Sequence, residues 1–103
     1  MNIIKIEEVE LLDQEAGQSD PRVSGMVQVA FWVINNIDNP KIHDLAGKII
    51  VNDSNQKHCG MVSDYINLLK AINDEEFPME PKFIQLDKIL RDTKKVFIEY
   101  GRH

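Results

Sequence analysis

The sequence predicts an α+β domain in two layers: a mainly antiparallel sheet of four to five strands with one main helix, residues 63–73, on one face. Three observations carry this. Residues 22–37, RVSGMVQVAFWVINNI, are dense in β-branched and aromatic side chains. On one parity lie Val23, Gly25, Val27, Val29, Phe31, Val33 and Ile37, an almost wholly apolar set of the kind that one side of a strand turns to a core. Several further apolar runs are joined by short turn-rich segments, which favours antiparallel neighbours, and only one segment shows clean helical spacing.

Taken in order, Ile3 to Leu12 reads as a first strand. Its apolar parity switches at Glu7 and Glu8, the signature of a β-bulge. Residues 13–21, DQEAGQSDP, form a loop. The long strand Val23 to Ile37 follows, its other face, which also holds Met26 and Ala30, turning apolar around Trp32 and Ile34 as if a second layer or a partner covers that end. It stops in NNIDNP, where Asn, Asp and Pro favour turns. A third strand is expected at Leu45 to Asn52, a turn at 53–56, and a short fourth strand from Lys57 to Met61. Gly25 and Gly47, inside strand patterns, mark bulges or close backbone contacts. The helix is expected to start at an N-cap Ser63, with Asp64 at its positive end. Val62, Tyr65, Ile66, Leu69 and Ile72 supply one apolar stripe, widened by Leu68, with Asp64, Asn67, Lys70 and Asn73 opposite. Residues 73–82 break it with two prolines. Residues 83–92 suit a helix or a strand, and Val96, Ile98 and Tyr100 alternate as a final strand.

At 103 residues this is a single domain, 1–103, large enough to bury roughly 65% of its unfolded surface unaided. Its 43% hydrophobic and 28% charged residues are those of an ordinary globular protein. A single cysteine rules out an internal disulfide and fits a reducing compartment. The acids within MNIIKIEEVELL are not those of a signal peptide, and no apolar run is long enough to span a bilayer, so the expected location is the cytoplasm. Twelve basic against 17 acidic residues, net −5, disfavour nucleic acid as a partner.

No constellation of residues announces chemistry. His58 and Cys59 are neighbours on an expected strand and point to opposite faces. His43, with Asp44 as orienter, is the alternative base for a Cys59 thiolate, although a lone cysteine in such a place is expected to be a small core residue. His43, His58, His103 and Cys59 give no paired metal-ligand spacing, so neither metal nor cofactor is expected.

Three functional readings follow. The first is a small acidic, non-enzymatic protein-binding domain, of the immunity-protein, antitoxin or inhibitor kind, that neutralises or regulates a partner. Its site is the acidic connection Asp74, Glu75, Glu76 and Glu80, which suits a cationic protein. Phe77 and Met79 within it either pin the loop to the core or serve as exposed anchors. The second is a self-associating structural subunit joined through Trp32 and Ile34. The third is a small enzyme using Cys59 or His43.

Overall fold

The computed structural model describes residues 20–75 and 80–101, and among them there is no strand: 84% are helical. The α+β expectation is therefore overturned. The helices are α1 Pro21–Asn36, α2 Pro40–Ser54, α3 Met61–Asp74 and α4 Pro81–Gly101. The strands expected at 23–37, 45–52 and 96–100 are parts of α1, α2 and α4. The ambiguous 83–92 is also α4, and 57–60 is a turn region leading into α3. The bulged strand expected over 3–12, and the tips Phe77 and Met79, lie outside the described residues.

Proline sets three of the four helix starts. Its fixed φ suits the first helical turn, and its missing N–H is one of the donors a helix leaves without an internal partner. Pro21, Pro40 and Pro81 open α1, α2 and α4. Ahead of two of them stands a side chain that accepts the next free donor: Asp20 Oδ1 takes the Arg22 N–H at 2.9 Å, and Asn39 Oδ1 takes that of Ile42 at 3.2 Å. The exception, α3, is entered through Gly60, whose φ of 81° is the left-handed conformation glycine adopts without strain. Ser63, the expected N-cap, is instead the third residue of this helix, while Asp64 does sit in its first turn.

Burial follows the helical period. On α1, Val23, Met26, Val29, Ala30, Trp32 and Val33 are buried, while Ser24, Gln28, Phe31 and Asn35 are exposed. Val29 and Phe31 share a strand parity, yet one is buried and the other 50% exposed, because positions two apart lie about 200° apart around a helix. On α3, Val62, Tyr65, Ile66, Leu68, Leu69 and Ile72 are buried and Asn67 and Lys70 exposed. The expected stripe is present, but it meets other helices and not a sheet.

Helix α1 lies between α2 and α4, and α3 packs against α2. Helices α1 and α4 run antiparallel. At one end Lys82 Nζ donates to the Asn36 carbonyl at 2.9 Å, a cation satisfying the last turn of α1. At the other, Arg22 near the start of α1 meets Phe97 and Tyr100 near the end of α4. Between them Gly25 lets the helices approach closely: a Cβ there would stand 2.9 Å from both Thr93 Cγ2 and Thr93 Oγ1. Gly47 faces open space and marks no such contact.

Gly25→Ala is therefore expected to destabilise the protein by about 1–3 kcal/mol through overpacking. In a Thr93→Ala background the same change is expected to cost much less or to stabilise by up to about 1 kcal/mol, the helix-propensity gain over glycine. A denaturation double-mutant cycle measures the coupling, and additive effects would rule out the close contact.

Candidate functional site

The side chains expected to carry function fall in different places. Asp74 ends α3 and is exposed. Glu75 accepts a hydrogen bond from Asn39 Nδ2 at 3.1 Å, which ties the end of α3 to the cap of α2 and gives this acid a structural task. Glu80 is exposed, with Lys82 Nζ 3.6 Å from its carboxylate. Glu76, Phe77 and Met79 are outside the described residues.

Trp32 and Ile34 do not share a face. The indole of Trp32, whose residue is 7% exposed, meets the Phe83 ring edge-on at 6.0 Å and donates through Nε1 to Gln85 Oε1 at 3.2 Å. Its apolar surface is thus used between α1 and α4, inside the chain. Ile34 is partly buried against the core. The exposed apolar residue of α1 is Phe31.

His43 and Cys59 are likewise kept apart. The His43 ring hydrogen-bonds through Nε2 to the Ile37 carbonyl, at the first turn of α2. Cys59 lies beyond the other end of that helix, whose 15 residues span about 22 Å. Cys59 is exposed, a correction to its expected place in the core. His58, mostly buried, is bonded through Nε2 to Asp53 Oδ1 at 3.2 Å. Among the described residues no three His, Cys, Asp or Glu side chains are grouped as a metal would require.

The most unusual polar group is one that sequence reasoning missed. Arg22 is fully buried. Its Nε donates to Asp20 Oδ1 and Oδ2 at 3.0 and 2.9 Å, and its Nη2 to Oδ2 at 2.5 Å. The guanidinium carbon lies 4.2 Å from the Tyr100 ring centroid and 5.2 Å from that of Phe97, so the charge also faces two π-clouds. Phe97 stacks on Tyr65 at 5.7 Å. The Tyr65 hydroxyl is hydrogen-bonded to Thr93, whose own Oγ1 donates to the Ile89 carbonyl at 2.8 Å. This cluster is polar, but its groups serve one another, and its work is to lock α1, α3 and α4 together.

The second missed feature is the outward face of α4. Ile84, Asp87, Lys88, Arg91, Lys95 and Ile98 line a shallow open groove along the helix. Ile84 is 75% exposed, the most exposed large apolar residue among those described. Along this face Arg91 Nε pairs with Asp87 Oδ2 at 2.9 Å, at i,i+4 spacing. The signal for this face was the spacing of 84, 88, 91, 95 and 98, legible only once the segment is read as one continuous helix.

Compared with protein-family models, curated proteins and solved structures, the chain matches none. Among the described residues no helix is long and apolar enough to cross a membrane.

Burial holds the Tyr65 phenol well above its ordinary value of 10.0, so it stays protonated in the folded chain. The unfolded phenol ionises as pH passes 10.0, and stability fully present below that pH is lost as pH rises above it. Tyr65→Phe is expected to flatten this alkaline decline while lowering stability near neutrality by about 0.5–1.5 kcal/mol, one hydrogen bond. Chemical melts of both proteins from pH 7 to 11 measure the difference. Parallel profiles would exclude Tyr65 as its source.

Proposed function

We propose that this chain is a non-enzymatic protein-binding domain that neutralises or regulates a protein partner, using the surface where the acidic α3–α4 connection meets the start of α4. The observation that carries this reading is Ile84, 75% exposed, with Glu80 one helical turn before it. Burying an isoleucine side chain is worth about 1.5–3 kcal/mol, so an interface that covers Ile84 gains an anchor. Glu80 and Asp74 are exposed on the two sides of the connection, and Glu76 lies between them in sequence. An apolar centre with an acidic rim suits a cationic partner, drawn in by long-range attraction. The exposed thiol of Cys59 supports a reducing, cytoplasmic setting. The separation of His43 from Cys59, and the engagement of His58 with Asp53, favour binding over catalysis.

The test is quantitative capture from native lysate followed by binding kinetics. A partner retained by the natural chain is expected to be lost with Ile84→Asp. With Glu76→Lys and Glu80→Lys it is expected to associate more slowly, and likewise at about 0.5 M salt, where screening shortens to roughly 4–5 Å. Glu75 is left unchanged because it holds Asn39. Binding indifferent to all these changes would defeat the reading.

A second reading, self-association, is favoured by Phe31, 50% exposed on the outer side of α1 near the partly buried Val27 and Ile34. If it holds, Phe31→Ser shifts the sedimenting species to monomer. Trp32→Ser instead lowers stability, by about 3–5 kcal/mol. Monomeric natural protein at all concentrations would remove this alternative.

A further inference from the structure

We propose that the outward face of α4 is a seam for one amphipathic helix of a protein partner, a helix acidic along its middle with an apolar residue towards each end. The inference rests on the partner surface above through Ile84, and it names the element that such a partner supplies.

Spacing is the first argument. Ile84, Arg91 and Ile98 recur every seven residues along α4, and the pairs Asp87 with Lys94 and Lys88 with Lys95 repeat that interval on the two flanks. Positions seven apart drift only about 20° around a straight helix, so the three form one line that a second helix crossing at about 20° follows. Leu86, Leu90, Thr93 and Phe97 are buried on the other side of α4, where it packs on α1. Ile84 and Ile98 stand about 21 Å apart at the two ends of the line. An extended segment repeats its same-face side chains every 6–7 Å or so, out of step with a helical interval of about 10.5 Å. A helix stays in step.

Charge is the second. Lys88, Arg91, Lys94 and Lys95, four of the chain's 12 basic residues, fall within about two turns of α4, although the chain as a whole carries −5. Asp87 is engaged by Arg91 at 2.9 Å, and Asp92 stands at the margin of the face, so the flank of Lys88 and Lys95 is cationic. A cationic band between two apolar ends is the complement of an acidic helix with apolar residues at the matching interval. Lying antiparallel to α4, that helix brings its last turn to Glu80 and Asp74. Cations there suit both the acidic rim and the helix's own dipole. One helix, acidic first and basic last, thus fits the rim and the band together.

The probe is a synthetic helical peptide, stapled on the side away from the seam, titrated into the isotope-labelled full-length chain and followed by amide shifts. It carries two isoleucines fourteen positions apart, with three glutamates on the same face between them. Saturable shifts along the outward face of α4 are the expected result, with binding about tenfold weaker when the three glutamates are replaced by lysine. Lys88→Glu with Lys95→Glu is expected to invert that preference, and Ile98→Asp to weaken the glutamate peptide by about tenfold. Lys88 and Lys95 are exposed, and an unchanged far-ultraviolet helical signal checks that each variant folds. Equal affinity for the two peptides, shifts centred away from α4, or no shift at millimolar peptide would overturn the proposal. Polyglutamate binding as tightly as the peptide would overturn it too, leaving a general anion surface without need of the isoleucines. So would a dimer of the chain alone that Lys88→Glu with Lys95→Glu dissociates, since a second copy would then be the occupant. Partner capture that needs Ile84 but is indifferent to Ile98→Asp and to the lysine reversals would leave the partner surface standing without the seam.

Discussion

The constraint on which the rest of this structure depends is the burial of one positive charge. An arginine taken wholly out of water is tolerable only where carboxylate and π-electron density replace its hydration. Arg22 finds the first in Asp20, two residues back, and the second in Phe97 and Tyr100, on the far side of the sequence. Asp20 therefore acts twice, as the cap of α1 and as the counter-ion. Its loss would cost about 3–5 kcal/mol, the range for breaking a buried pair. With the start of α1 fixed against the end of α4, the other contacts fall into place along the helix pair. Gly25 accepts Thr93 about one turn further on, and Trp32 reaches Phe83 and Gln85 near the opposite end.

Much of the core membership was legible in the sequence, and the fold class was not. Residues 22–37 are so nearly continuous in apolar side chains that they satisfy a period of two and a period of 3.6 together, and their valines weight the choice toward strand. Length was the better arbiter, since 16 residues is long for a strand and ordinary for a helix. The more specific signals were Asp20-Pro21, Asn39-Pro40 and Glu80-Pro81. Each was read as a turn or a break because proline ends helices from within, and each is a helix start, where proline fits best. The stripe on α3 was clear because Asn67 and Lys70 separate its apolar positions. The buried arginine left no local trace: Arg22 resembles a surface residue until Phe97 and Tyr100 are brought beside it.

The polar residues mostly hold helix ends. Asn39 bridges the cap of α2 to Glu75, Lys82 satisfies Asn36, His43 satisfies Ile37, and Asn52 donates to Asp64 at 3.2 Å. This matters for the acidic connection, because its acids are not equivalent. Glu75 faces inward to a structural partner, and Asp74 and Glu80 remain at the surface. The composition that suggested one acidic patch thus resolves into a tie and a rim. Beside the rim stands Ile84, an apolar residue with no such structural task.

The pairing of the first and last described helices bears on how the chain is made. Arg22 and Phe97 are about 75 residues apart, and synthesis at about 5–20 residues per second separates their emergence by roughly 4–15 s. During that interval α2 and α3 are already available to one another, while α1 has lost neither the hydration of its arginine nor the exposure of Trp32. The nascent protein therefore passes through a stage with one side of its central helix uncovered, and the arrival of α4 is the event that closes it.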